Sequence, residues 1–122
     1  MAIAFLLDEH LRGPLWQAIL RHNLSGSDPI DAVRVGDPPD LPLGTDDPAI
    51  LRWIEREARV LVTEDRHTMA THLARHLAAG GHSPGVVTVR PNARITEVLD
   101  ALGLLAIAGH ADELADVVTY IP

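Results

Sequence analysis

One short stretch near the start of the chain indicates the fold class: residues 3–10 read IAFLLDEH. Its apolar run ends abruptly at Asp8, as expected of a buried parallel strand whose carboxyl end opens onto solvent. The same pattern recurs at residues 60–65, where VLVT is followed by an acidic pair that ends in Asp65. Two apolar runs that both end in acids predict a parallel sheet with its acids gathered at one edge.

Helical segments alternate with the predicted strands, and this order favours right-handed crossovers with helices on both faces of the sheet. We therefore predict an α/β chain with a three-layer α/β/α fold and a mainly parallel central sheet. One helix start is especially clear, because Asp47 is expected at the N-cap with Pro48 at the first helical position. The predicted strands are 3–7, 31–35, 60–63, 85–89 and 117–121, and the predicted helices begin near Pro14, Asp47, Asp65 and Ile95.

Composition narrows the functional classes. The 122 residues, 47% of them apolar, predict a single domain spanning 1–122. The chain has no cysteine, which excludes disulfides and thiolate zinc sites, and no lysine, which excludes Schiff-base chemistry and lysine-dependent phosphate binding. A net charge of −7 opposes non-specific binding to polyanions. The start lacks a basic segment and a long apolar run, so we expect a cytoplasmic protein without a membrane span.

Three aspartates form the candidate catalytic and metal-binding set: Asp8, Asp47 and Asp65. In open parallel sheets, ligands bind outside the carboxyl ends of the strands, where these acids are expected to converge. Crowded carboxylates repel one another and favour a hard cation, so Mg²⁺ or Mn²⁺ is the expected cofactor. Such an ion can activate water and neutralise the charge that develops on a phosphodiester, which is nuclease chemistry.

Three further acids lie next to these aspartates in the sequence and are candidates for orienting the metal ligands. Glu9 and Glu64 each lie one residue from a favoured aspartate, and strand alternation would point them elsewhere unless the strand has ended. Asp46 directly precedes Asp47 and is the alternative to it as the acid at the start of the helix. Glu9 and Glu64 could each orient or tune a ligand, with direct binding of the metal as the alternative, and Asp46 could likewise act without binding the metal.

Basic residues near the strand ends are candidate substrate contacts. Arg12 and Arg66 lie where a phosphate clamp would need them, and His67 lies beside the acids. His72 and His76 have the i, i+4 spacing of a zinc pair, but Leu73 stands where zinc proteases carry a glutamate. We therefore assign these two histidines to a solvated helix face.

The segments that carry these acids resemble the PIN-like domains, in particular the short single-domain group related to the nuclease toxins of toxin–antitoxin pairs. The likeness extends over residues 3–91. It rests on FLLDEH, LGTDDPAIL, VLVTEDRHTM and PGVVTV, at residues 5–10, 43–51, 60–69 and 84–89. The resemblance implies a three-layer fold, a divalent-metal site, RNA as the substrate and an antitoxin protein as a partner. Asp8, Asp47 and Asp65 match the family's first three acids.

Two departures from this family pattern leave an alternative open. His67 and Thr68 stand where the short group often has an aspartate followed by phenylalanine, and the late fourth acid has no clear counterpart. The leading hypothesis is a metal-dependent ribonuclease toxin. The alternative is a catalytically degenerate module that binds RNA or a protein partner without cleavage.

The two tryptophans are candidates for a homodimer contact. Trp16 and Trp53 lie on predicted helices, where they could form a homodimer contact or pack in the core. Buried packing is favoured because tryptophan is usually well covered.

A phosphoacceptor receiver domain would share the acids after the strands, but it requires a lysine late in the sheet. This chain has no lysine, so the receiver-domain hypothesis is set aside.

Overall fold

The computed structural model describes residues 2–121 and consists of one sheet covered by helices on both faces. The strands are β1 (Phe5–Leu7), β2 (Ala32–Arg34), β3 (Val60–Thr63), β4 (Val86–Val89) and β5 (Val118–Ile121). The helices are α1 (Pro14–Leu24), α2 (Asp47–Glu57), α3 (Thr68–Ala78), α4 (Ile95–Ala108) and the short α5 (Ala111–Leu114), and a 3-10 turn covers Glu9–Leu11.

The five strands are all parallel and lie in the order β2-β1-β3-β4-β5. Phe5 of β1 pairs with Ala32 on one side and with Val60 on the other. This is one of the two common doubly wound orders, in which the direction of winding reverses between β1 and β3. The predicted parallel α/β/α architecture is confirmed, and the reversal creates a crevice at the carboxyl ends of β1 and β3.

Two apolar layers hold the helices on the sheet. Alternate residues of β1 point to opposite faces, so Phe5 and Leu7 pack with α1 and α4, whereas Leu6 packs with α2 and α3. All three side chains are fully buried. Because β1 is covered on both faces, its sequence is a continuous apolar run rather than an alternating one. The acids that follow it therefore mark the point where the chain leaves the core.

Two predicted helix starts differ from the observed ones. The N-cap of α2 is Asp46, whose side chain accepts a hydrogen bond from the amide of Ala49, so Asp47 is the first helical residue instead. Helix α3 begins at Thr68 rather than at Asp65. Both shifts have one cause, because an aspartate side chain can cap amides up to three residues ahead and so precedes the helix it starts.

The tryptophans pack within the fold. Trp53 is only 6% exposed in the α2–α3 layer, and its indole N–H donates to Asp40 across 3.1 Å. Trp16 is partly buried in the α1–α4 layer, and the guanidinium of Arg34 lies over its ring, 4.5 Å from the ring centroid. Core packing therefore accounts for Trp53, and a stacked arginine covers part of Trp16.

No helix within residues 2–121 is long and apolar enough to cross a membrane.

Candidate functional site

Asp8 occupies the carboxyl end of β1 and is held through both of its side-chain oxygens. Its amide donates to the carbonyl of Val62 across 3.0 Å, which extends the contact between β1 and β3 by one residue. Its Oδ1 accepts from the amide of Glu9 at 2.8 Å and thereby caps the 3-10 turn. Its Oδ2 accepts from the hydroxyl of Thr63 at 2.9 Å. The carboxylate is thus fixed in orientation before any ligand binds.

Thr63 connects Asp8 to Asp65. It is the last residue of β3 and is fully buried. While its hydroxyl donates to Asp8, the same oxygen accepts from the amide of Asp65 at 3.1 Å. Sequence reasoning missed this residue, although a threonine that ends an apolar strand just before two acids was the available signal.

Asp65 shapes the turn between β3 and α3. Its Oδ1 accepts from the amides of His67 and Thr68 at 3.0 and 2.8 Å. These amides belong to the start of α3, where a negative charge is favoured by the helix dipole. Within residues 2–121 nothing donates a hydrogen bond to Oδ2, so this oxygen is available to a ligand.

Asp47 is the acid whose electrostatic environment is most unfavourable to charge. Burial, followed by the negative charges of Asp8, Asp65 and Asp46, raises the pKa of its carboxyl group, and His72 partly opposes this rise. The Nε2 atom of His72 lies 3.7 Å from its Oδ2. No N–H or O–H group of the described chain donates a hydrogen bond to the Asp47 side chain. Because Asp46 supplies the helix cap, the Asp47 carboxylate is left free of any capping role.

The three aspartates line one cleft of about 400 Å³ at the carboxyl edge of the sheet. They come from three different elements, namely the end of β1, the first turn of α2 and the turn after β3. Within residues 2–121, no three Asp, Glu or His side chains are already arranged as a set of metal ligands. The predicted convergence therefore takes the form of a shared cleft, and a cation would have to draw the carboxylates together. The remaining lining residues are Glu9, His10, Thr45, Ile50 and Glu64.

The supporting acids take different positions. Glu9 lines the cleft, and its Oε1 accepts from the amide of Gly44 at 3.0 Å, which attaches the loop 36–46 to the sheet edge. Glu64 lines the cleft and is exposed. Asp46 is exposed and caps α2. Of these three supporting acids, Glu9 and Glu64 line the cleft and Asp46 does not.

Arg12 lies outside this cleft. Its guanidinium is 3.6 Å from Asp37, and its Nε is buried without a hydrogen-bond partner among the described residues. Arg34 makes a closer ion pair with the same acid, at 2.8 Å, and lowers the pKa of Asp37. The observed position of Arg12 thus favours a structural role at the start of the loop 36–46.

Arg66 lies at the sheet edge beyond the acids. It borders a small cavity of about 270 Å³ together with Arg90 and Asn92, which follow β4. Its guanidinium is 5.4 Å from the ring centroid of Tyr120. His67 is exposed at the N-terminus of α3 and does not line the cleft. Arg66 therefore shares a cavity at this edge with a second cationic side chain, Arg90.

His72 and His76 lie on a partly covered helix face rather than on the fully solvated face that was predicted. Their side chains are only 22% and 14% exposed, because α2 packs beside α3 and covers them. His76 contacts Glu55 through its Nε2 at 2.7 Å, and His72 approaches Asp47. His72 is therefore a second residue of the site that sequence reasoning missed.

A comparison of the chain with protein-family models, curated proteins and solved structures finds no significant match.

Proposed function

We propose that this chain is a divalent-metal-dependent ribonuclease of the PIN-like type. One observation carries the proposal: Asp8, Asp47 and Asp65 line a single cleft at the point where the winding of the sheet reverses. Parallel sheets of this kind bind their ligands at that place. The raised pKa of Asp47 supports the proposal, because a bound cation would compensate first for the burial of this carboxylate and then for its repulsion by the neighbouring acids.

The donor chemistry of the cleft fits Mg²⁺ or Mn²⁺. Its acidic lining offers carboxylate oxygens, no cysteine occurs in the chain, and hard divalent cations prefer such oxygens. When bound, the ion would lower the pKa of a water molecule and offset charge on the phosphodiester. Asp47 and the free oxygen of Asp65 are the groups available to hold it, and Asp8 contributes a carboxylate already oriented by Thr63.

Cationic residues beside the cleft would position the substrate. Arg66 and Arg90 border one cavity at the same sheet edge, and arginine forks bind phosphate oxygens well. Neither arginine forms an ion pair with an acid of residues 2–121. Their local charge offsets the acidity of the whole chain, so RNA would be attracted at this edge and repelled from most of the remaining surface.

Cleavage of a labelled single-stranded RNA tests the proposal. Activity is expected with Mn²⁺ or Mg²⁺, and it should vanish with chelator and in Asp65→Asn. Asparagine retains an oxygen that can cap α3, so this variant removes the charge while the turn is preserved. The matched control is Asp112→Asn on α5, an exposed acid that does not line the cleft. Chelator-resistant cleavage would contradict the metal mechanism.

A second candidate is a module that binds RNA or a protein without cutting. It is favoured by the absence, within residues 2–121, of a ready-made set of three metal ligands. For this candidate, RNA binding would persist in chelator and in Asp65→Asn, and no cleavage would appear with either metal. The same assay therefore separates the two functions.

A further inference from the structure

A groove runs between α2 and α3 on the outer surface of their layer. Its volume is about 510 Å³, larger than that of the acidic cleft. Both helices start at the carboxyl edge of the sheet, so the groove extends from that edge along the two helix axes. Its main lining residues recur at helical spacing: Pro48, Arg52 and Glu55 on α2, and His72, Arg75 and His76 on α3.

The groove has a cationic lining in an otherwise acidic chain. Arg52 and Arg75 form no ion pair with any acid of residues 2–121, whereas Arg56 and Arg59 are both paired. Glu55 is the one carboxylate among the groove-lining residues described. It already accepts hydrogen bonds from His76 and from the amide of His82, each at 2.7 Å. The two arginines are therefore free to meet an external anion.

The groove and the acidic cleft are contiguous. His72 lines the groove, and its Nε2 is 3.7 Å from Oδ2 of Asp47, which lines the cleft. Pro48 lines the groove and directly follows Asp47 in the chain. A polymer with one phosphate in the cleft would thus have an open, positively charged path leading away from it.

We propose that this groove binds the backbone phosphates of an RNA strand on one side of the bond held in the cleft. The inference rests on the proposed function. Arg52 and Arg75 contact phosphate oxygens through their guanidinium groups, and such contacts are independent of sequence. The groove therefore supplies affinity for single-stranded RNA, while the acids of the cleft supply the chemistry.

The salt dependence of binding tests the groove without any turnover. Fluorescence anisotropy in the presence of chelator would measure the affinity for a labelled single-stranded RNA of about 12 nucleotides. For single strands, each neutralised phosphate contributes about 0.7 to the slope of log K against log salt concentration. Arg52→Gln and Arg75→Gln are each expected to lower the slope by about 0.7. The matched control, Arg21→Gln, removes the same charge from α1 on the opposite face and should leave the slope unchanged.

The outcomes separate the groove from the nuclease. If wild type cleaves RNA but all three variants retain its slope, the groove proposal is overturned and the nuclease stands. If the slope falls only in the groove variants and no metal supports cleavage, the groove stands and the nuclease fails. If Arg52→Gln loses binding to an oligoglutamate peptide but not to RNA, the groove takes an acidic protein segment, and the RNA assignment is overturned.

Discussion

The hydroxyl of Thr63 donates a hydrogen bond to Oδ2 of Asp8 across 2.9 Å, from the end of one strand to the end of its neighbour. The same hydroxyl accepts from the amide of Asp65. One buried side chain thus fixes the relative position of two acids that lie far apart in the sequence. The arrangement can be tested without a substrate.

Replacing Thr63 with valine keeps the shape of the side chain and removes its hydroxyl. Because a buried hydrogen bond to a charged group is lost, Thr63→Val should lower the free energy of unfolding by about 2 kcal/mol. Urea unfolding measures this loss. Thr63→Ser is the control, since it keeps the hydroxyl and loses one methyl group, at about 1 kcal/mol. A valine variant at least as stable as the serine variant would contradict the assigned role.

Metal binding should be visible as stabilisation of the folded chain. A cation that binds only the folded state adds RT ln(1 + [L]/Kd), about 2.7 kcal/mol at a hundredfold excess over Kd. Thermal unfolding with and without Mn²⁺ should show this gain for wild type and for the control Asp112→Asn. Asp8→Asn, Asp47→Asn and Asp65→Asn should lose most of it. Equal gains in all five proteins would show that the three aspartates do not share a metal site.

Asp46 and Asp47 are adjacent, yet their substitutions should have opposite effects in chelator. Asp46→Ala removes the cap of α2 and should cost about 1 kcal/mol of stability. Asp47→Asn should stabilise the protein at neutral pH, because it removes a charge that is partly buried and repelled by Asp8 and Asp65. Urea unfolding of both variants measures the two effects.

The pH dependence of the stability difference between Asp47→Asn and wild type is an independent test of the raised pKa of Asp47. The folded pKa of Asp47 lies above its ordinary value of 3.8, so the folded state binds more protons in that range. This group's contribution to stability therefore falls as pH rises from that value through the raised pKa. The advantage of Asp47→Asn over wild type should grow across the same window. An advantage that is independent of pH would contradict the raised pKa.

Two carboxylates that lie away from the acidic cleft, Glu55 and Asp116, should make the stability of the protein sensitive to acid. The amide of His82 and the side chain of His76 lower the pKa of Glu55, and the amide of Ser83 and the side chain of His82 lower that of Asp116. Their stabilising effect is present above the ordinary values of 4.5 and 3.8 and is lost as pH falls through the lower folded values.

Substitution of these acids should remove that part of the acid sensitivity. Glu55→Gln and Asp116→Asn are expected to be less stable than wild type at neutral pH and to approach it as the pH falls below about 4. Urea unfolding across this range measures the difference. Glu113→Gln is the control, because the Glu113 carboxylate makes no hydrogen bond or ion pair within residues 2–121. A constant difference at all pH values would contradict the assignment.

Ala58 ends α2 in the left-handed conformation, with φ of 57° and ψ of 48°. This conformation costs an L-residue about 1 kcal/mol, and glycine avoids the cost while losing more entropy on folding. Ala58→Gly should therefore stabilise the protein by roughly 0.5 kcal/mol in urea unfolding. Ala79→Gly, at the end of α3 with φ of −80°, should give no gain. Equal effects at the two positions would rule out relief of backbone strain as the cause.

Much of the fold could be predicted from the sequence because its strands are apolar runs with sharp ends. The run before Asp8 and the run before Asp65 became the neighbouring strands β1 and β3, and their parallel pairing alone brings both acids to one edge. This part of the cleft follows from chain direction and hydrophobic burial. Both are visible in a local stretch of residues.

The remainder of the cleft depends on choices that local sequence leaves open. Asp46 and Asp47 are both good caps, and the structure shows that Asp46 caps α2 while Asp47 lines the cleft. The i, i+4 spacing of His72 and His76 was visible in the sequence. The approach of His72 to Asp47, however, requires α2 and α3 to lie side by side. The five strands and the four long helices could be predicted from local sequence, because their signals span only a few residues. Tertiary structure decided which side chains meet, because the Thr63–Asp8 and His72–Asp47 contacts join residues that only packing of the sheet and its helices brings together.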